Sequence, residues 1–384
     1  MPMPSARLYL DNNATTPVFP DVLEAMNDAW RNAFANPGSQ HAFGRDARRV
    51  LEDAREQIAS CLNADPSEVI FTSGGTESIN TAIRGFTRGR HGTIALTAGE
   101  HPATVQSVDS ACLRGFDKHI LLVDSRGRLE QDQFAQLPWD TLKLVCVILA
   151  HNETGVIQDL VPLGARCQQH GVPLLVDAVQ AVGKIPVDFA LLGATALAFG
   201  AHKFHGPRGI GGLLLKRGVR LPPLLEGGHQ EGGLRAGTEP VPLIAGMATA
   251  LRLFQDEAEE RMEAVRRLRD RLQAQLEAHC EPVVVHGAES VRLPNTLSVA
   301  FPGISGEAML VNLHLADVAC SLGSTCASGS AEPAPALLAM GIPADICLSS
   351  VRFSLSVLNT ADEIDQAAER IAAVVRRLRC TAGE

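Results

Sequence analysis

The sequence predicts an α/β fold, in which a large domain with a mostly parallel central sheet flanked by helices is followed by a smaller α+β domain. Three observations predict it. Short apolar runs alternate with stretches of helical period from Glu68 to Lys216. The runs are uniformly apolar rather than alternating, as strands covered on both faces are. A chain of 384 residues, 46% of them hydrophobic, also exceeds one small domain and has ample material for a core.

Taken in order, the predicted strands are EVIFTS (68–73), TIALT (93–97), HILLV (119–123), KLVCVILA (143–150), PLLVDAVQ (173–180), TALAFG (195–200) and GIGGLLLK (209–216). Between them, segments 77–86, 102–114 and 163–170 are amphipathic and read as crossover helices on a parallel sheet. From 243 to about 279 the chain turns rich in Ala, Leu, Glu and Arg, which predicts one or two helices at the border between domains. Beyond it NTLSVAF (295–301), VACSL (318–322) and SVRFSLS (350–356) read as strands, and 306–314 and 361–378 as helices. The large domain is assigned to 14–255, and residues 1–13 are expected to pack with 256–384 in the smaller one.

Composition narrows the function. Lys plus Arg number 34 and Asp plus Glu 43, a net charge of −9, which argues against nucleic acid or an anionic membrane as partner. Aromatics make up only 4%, so base-stacking platforms have little to be built from. The nine cysteines form neither a disulfide framework nor a CxxC knuckle, and no metal site is expected. The chain shows no apolar leader and no run of about eighteen apolar residues. The expectation is a soluble protein of a reducing cytoplasm, which makes the sequons at Asn13 and Asn152 chance matches.

Several segments can carry chemistry. In EVIFTSGGTESIN a strand runs through Ser73-Gly74-Gly75-Thr76 into a helix, an arrangement that offers backbone N–H groups to a phosphate or is a plain helix cap. Asp177 closes an apolar strand, where an acid can hold a pyridinium N–H or cap a turn, and Gln180 stands three residues on. His202-Lys203 lie just beyond the strand TALAFG, before a Gly/Pro-rich turn. A lysine in such surroundings can have the lowered pKa that a Schiff base requires, whereas an isolated lysine is usually a solvated surface group. His101 and Asn152 also follow strands, so four polar residues converge on the carboxyl edge of one predicted sheet.

Cys326 lies in SLGSTCASGS, whose small residues allow a thiol to move and stay accessible. Cys146 sits inside an apolar strand, and Cys320 closes the run LADVAC and is the rival nucleophile. Arg352, in SVRFSLS, is a strand arginine that needs an anion, either an ion-pair partner or a substrate carboxylate. Arg235 and Thr238, in GGLRAGTEP, occupy a Gly-rich loop that can meet a phosphate or be a surface turn.

In their order these segments resemble the cysteine desulfurases, a branch of the class V, fold-type I pyridoxal-phosphate enzymes. The resemblance runs nearly end to end through YLDNNATTP, NPGSQHAFGRDAR, EVIFTSGGTESIN, EHPAT, HNETGVIQD, VDAVQAVGKIPVDF, AHKFHGPRGIG, LRAGTEP, LPNTLSVAF, SLGSTCASGS and SVRFSLS. It implies pyridoxal 5'-phosphate as cofactor, with Lys203 as its Schiff-base residue and catalytic base. Asp177 would pair with the pyridine nitrogen, and a catalytic His101 would lie on the ring. Asn152 and Gln180 would bond the cofactor oxygen, while Gly75, Thr76 and His202 would hold the phosphate. Thr238 would reach the phosphate of a neighbouring subunit, which implies a homodimer. Asn13, Asn152 and Arg352 would bind L-cysteine, and Cys326 would take its sulfur as a persulfide, release L-alanine and pass the sulfur to an acceptor protein, such as an iron–sulfur scaffold or a sulfur carrier.

Two departures stand out. The family commonly has a serine where this chain has Gly200, and Ser356-Val357-Leu358 replace a glycine and a basic residue after the strand of Arg352. The residues leave open a selenocysteine lyase or another class V transferase and, more remotely, a non-catalytic dimeric scaffold.

Overall fold

The computed structural model describes residues 7–322 and 332–382. After the short strand β1 (Leu8–Tyr9) and the helices α1 (Pro20–Asn32) and α2 (Ala42–Cys61), the chain builds a seven-stranded sheet. Its strands are β2 (Val69–Thr72), β3 (Gly92–Thr97), β4 (Phe116–Leu121), β5 (Leu142–Ile148), β6 (Leu174–Asp177), β7 (Ala196–Gly200) and β8 (Gly211–Leu215), in the spatial order β2-β8-β7-β6-β5-β3-β4. β8 pairs antiparallel with both β2 and β7, and β7, β6, β5, β3 and β4 are mutually parallel. The connections are α3 (Gly75–Thr87), α4 (Pro102–Cys112), α5 (Val161–His170) and the short α6 (Phe189–Leu192).

The uniform apolarity of these strands has a simple cause. Along β5, Leu144 and Cys146 join a core with Ile79 and Ile83 of α3 and Val108 of α4, while Val145 and Val147 join another with Leu51 and Ile58 of α2. Successive side chains point to opposite faces, and both faces are covered. Each Leu, Val or Ile so buried contributes about 1.5–3 kcal/mol. The run HILLV departs from this pattern, because β4 is an edge strand: Ile120 is 41% and Leu122 55% exposed, and charged Asp117 and Lys118 share its open surface.

The Ala-, Leu-, Glu- and Arg-rich 243–279 stretch forms two helices. α7 (Val241–Asp256) packs on α1 and α2, and α8 (Ala258–His279) starts after a break at Glu257 (φ −133°, ψ 26°). A second core follows, built on β9 (Val284–Val285), β10 (Thr296–Ala300), β11 (Val318–Ala319), β12 (Ser321–Leu322) and β13 (Ser350–Ser354). Its helices are α8, α9 (Gly306–Leu315) and, following the short α10 (Pro335–Ala339) and α11 (Ala344–Leu348), α12 (Ala361–Ala382), which lies along α8; α10 and α11 bury Leu337, Met340 and Cys347 in a small cluster of their own. The antiparallel sheet has the order β12-β13-β10-β9. VACSL is not one strand. β11 pairs in parallel with β1, whereas β12 pairs with β13, so the chain changes sheets at Cys320. Leu8 and Leu10 enter this second core beside Phe301 and Phe353.

Candidate active site

The carboxyl ends of the parallel strands deliver polar side chains to one place. Ile148 at the end of β5 lies in register with Asp177 at the end of β6, and Asp177 with Ala198 of β7. The loops leaving β3, β5 and β7 therefore place His101, Asn152, His202 and Lys203 around Asp177. Together with Gly75, Thr76 and Gln180 these side chains line a cavity of about 230 Å³. All eight were singled out in the sequence, and the fold brings them together.

Lys203 follows β7 on a short 3-10 turn (Ala201–Lys203). Its Nζ donates to the carbonyl oxygens of Asn13 at 2.6 Å and Ala14 at 2.9 Å. Burial, reinforced by the charge of Arg352, lowers its pKa to about 8 against the opposing pull of Asp11 and Asp177. An amine near neutrality is available as a nucleophile. Asp177 accepts the Val179 N–H at 3.0 Å, and burial raises its pKa. Next to it lies Glu100, which sequence reasoning passed over. Its Oε1 accepts the Ile148 N–H at 2.6 Å, and burial together with the Asp177 charge pushes it up to about 8. Glu100 is thus mostly neutral at pH 7.

His101 is the N-cap of α4 and accepts the Ala103 N–H on Nδ1 at 3.1 Å. Burial and the Lys203 charge hold it below the usual histidine pKa, so the ring is neutral. His202, with Nδ1 3.2 Å from Thr15 Oγ1, is lowered by burial to about 4 and is neutral as well. Gly75 opens α3, where a Cβ would fall 2.4 Å from Val179 Cγ2; glycine is what allows the helix start to approach the cavity. Gly200, by contrast, has room. A Cβ there would lie 3.4 Å from Gly75 N and 3.7 Å from His202 Cδ2, both ordinary contacts, and its φ of −143° suits any residue.

A second polar wall, which touches Lys203 and Asn152 from behind without lining that cavity, comes from distant parts of the chain. Arg352, in the centre of β13, donates from Nη2 to Asp11 Oδ1 at 2.8 Å and from Nη1 to the Asn152 carbonyl at 3.0 Å. Its sequence alternative of an ion-pair partner is realised by Asp11, which also accepts Ser321 Oγ. Arg352 Nε is buried and has no hydrogen-bond partner among the described residues. Asn13 is buried beside it: its Nδ2 donates to Thr296 Oγ1 and to the Asn152 carbonyl, and its Oδ1 accepts Asn295 Nδ2 at 3.0 Å and Lys184 Nζ at 2.8 Å. Asp11, Asn295 and Lys184 were not singled out in the sequence. The available signal was their presence within otherwise recognised motifs.

Other expectations fall elsewhere. Cys326 lies outside the described residues. Cys146 is core, its thiol pKa raised by burial, and burial together with Asp11 pushes Cys320 up to about 12, so neither is a thiolate at neutral pH. Arg235 does not face the cavity; it pairs with Glu77 in the first turn of α3, Nε to Oε1 at 3.0 Å. A bidentate Arg55–Glu231 pair, both bonds 2.8 Å, pins the same loop to α2. Thr238 is left exposed, away from the cavity of its own chain. Ser356 and Val357 line a second cavity of about 50 Å³, which shares Lys203 with the first and is also lined by Lys184. Among the described residues no group of three or more His, Cys, Asp or Glu is placed to hold a metal, and no helix is long and apolar enough to cross a membrane.

The donor set suits pyridoxal 5'-phosphate. It offers a buried carboxyl for a ring N–H, an amine of lowered pKa for an aldehyde, and a helix N-terminus with a neutral histidine for a phosphate. Comparison with known proteins agrees. The Aminotransferase class-V family matches residues 8–367. A cysteine desulfurase of Nostoc sp. is 42% identical over 97% of this chain and 94% of its own. The cysteine desulfurase NifS of Azotobacter vinelandii is 40% identical over the same shares. A solved NifS-like protein superposes with a TM-score of 0.91 at 35% identity, over 97% of this chain and all of that one. With the sheet-edge lysine, aspartate and histidine in place, the chain belongs to the cysteine desulfurases, pyridoxal-phosphate-dependent members of the class-V aminotransferase family.

Proposed function

We propose that this cavity is where the chain carries out the family's reaction, taking sulfur from L-cysteine, releasing L-alanine and storing the sulfur as a persulfide on Cys326. The observation that carries the reading is the convergence of Lys203, Asp177, His101 and His202 on one cavity of about 230 Å³. Bound pyridoxal phosphate supplies an electron sink conjugated to the Cα of the substrate.

The residues divide the remaining work. Asp177 would hold the ring nitrogen through its carboxyl group. Gly75, Thr76 and His202 would hold the phosphate, with Thr238 reaching the phosphate site of a second copy in a homodimer. Neutral His101 would hold the ring, and Asn152 with Gln180 its oxygen. Lys203 would hold the cofactor through Nζ, and with the substrate amine bound that Nζ would be the base that moves the Cα proton. Asn13 and Arg352 would orient the substrate, the guanidinium of Arg352 pairing with its carboxylate. The Cys326 sulfur then attacks the substrate sulfur, the C–S bond breaks, and its electron pair is protonated at carbon. Cysteine plus the thiol thus becomes alanine plus the persulfide, with no outside oxidant.

Residues 14–255 are taken as the large domain and 1–13 with 256–384 as the smaller one, so that the cleft lies where they meet. The receiver of the sulfur is a protein acceptor, and the site of action the cytoplasm. Iron–sulfur cluster assembly is the destination suggested by the family. Mass spectrometry of Cys326 after incubation with L-cysteine is expected to show one added sulfur atom, and Cys326→Ser to lose alanine formation. Alanine formed by Cys326→Ser at the parent rate would overturn the persulfide step.

A further inference from the structure

Lys184 takes no part in the chemistry above, yet it stands at the centre of the hydrogen bonds beside Lys203. It follows Gln180 by four residues on one tight turn, in which the Val182 N–H donates to the Ala178 carbonyl and the Lys184 N–H to that of Ala181. Its Nζ donates to Gln180 Oε1 at 2.5 Å and to Asn13 Oδ1 at 2.8 Å. Burial, with the charges of Lys203 and Arg352, holds its pKa well below that of a free lysine.

An amide has one oxygen and one NH2, so a donor on the oxygen settles which way both point. With Lys184 on Oε1, Gln180 Nε2 donates to the Asn13 carbonyl at 2.9 Å, the same oxygen that receives Lys203 Nζ at 2.6 Å. With Lys184 on Oδ1, Asn13 Nδ2 donates to Thr296 Oγ1 at 2.9 Å and to the Asn152 carbonyl at 3.2 Å. One side chain thus ties the cavity-lining Gln180 to the segment on which Lys203 rests. Without it two buried amide oxygens lose their Nζ donor. Gln180 Oε1 has no other partner among the described residues, and without Lys184 the amide is released to turn toward water.

We propose that Lys184 is a positioning residue, setting the orientation of Gln180 and Asn13 and through them the seat of Lys203 in the cofactor cavity. The inference rests on this cavity's being the pyridoxal-phosphate site. Its test is a titration of apoprotein with pyridoxal 5'-phosphate, followed by visible absorbance, for the parent, Lys184→Met, Gln180→Ala and the double variant, with a thermal melt of each apoprotein. Lys184→Met is expected to weaken binding about tenfold and to shift the absorption maximum, whereas in the Gln180→Ala background it changes binding less than about twofold. Parent-like binding and spectrum in Lys184→Met overturn the proposal, as does an undiminished effect in the Gln180→Ala background. Where the melt shows that Lys184→Met does not fold, Lys184→Gln, with a single shorter donor, is judged by the same two criteria. A parent protein that takes up no pyridoxal phosphate instead overturns the reading of the cavity itself.

Discussion

The two walls that meet at Lys203 are held by different forces. The sheet-edge wall, with His101, Asp177 and Lys203, stands on parallel strands whose ladder and buried faces position the loops whatever side chains those loops carry. The opposite wall is made by its own polar side chains: Arg352 on Asp11, Asn13 on Thr296 and Asn295, and Asn12 on the Ser354 carbonyl, partners 282 to 342 residues apart. In the first wall a substitution subtracts chemistry and leaves the frame. In the second the groups that would touch substrate also hold the frame, so a substitution moves both.

That contrast can be broken most sharply at Lys203. Lys203→Ala is expected to abolish the visible band of the cofactor and to lower desulfuration by about 10³-fold or more, while the melting temperature of the apoprotein stays within about 2 °C of the parent. A large fall in stability would show that the sheet edge depends on its functional side chain after all.

Arg352→Ala tests the other wall. It is expected to lower kcat/KM for cysteine by about 100-fold and to destabilise the fold by about 2 kcal/mol, because it leaves half-buried Asp11 without its cation. It also shifts a pH dependence. Lys203 is reactive as the free amine, so the rate of cofactor uptake rises through pH 8 and levels above it. Arg352 contributes to that lowering, and removing it moves the midpoint upward, which stopped-flow absorbance would read directly. The same lowered pKa makes the apoprotein gain stability between about pH 8 and 10.5, where the unfolded lysine binds a proton that the folded one has released. An unchanged midpoint in Arg352→Ala would mean that the two walls are electrostatically independent.

The smallest expected effect is at Gly200. Because a side chain fits there beside Gly75 N and His202, Gly200→Ser is expected to tighten pyridoxal-phosphate binding about threefold to tenfold by adding one hydrogen bond, with little change in stability. Weaker binding would show that the space is needed for something else.

The difference between the walls also sets what could be read in advance. His101, Asn152, Asp177 and Lys203 were legible because each ends an apolar run, and strand ends in a parallel sheet share one edge by topology. Arg352 was legible as a strand arginine, but its partner was not, since no local pattern connects it to Asp11. Glu100 and Lys184 look like surface charges in the sequence; only packing shows them to be buried, one pushed up to about 8 and the other held well below its ordinary pKa. The Arg235 loop was ambiguous for the same reason, until Glu77 and Glu231 appeared as its anchors.

By itself the sequence determined the α/β class, the seven strands of the large sheet in chain order, and the sheet-edge residues, because hydrophobic period and turn chemistry are local and act along the chain. The tertiary structure decided that HILLV lies at an edge, that VACSL divides between two sheets, and that Arg352 faces Asp11 and Lys184 supports Gln180. These depend on which distant segments meet, and burial, pKa and hydrogen-bond partners come into being only when they do.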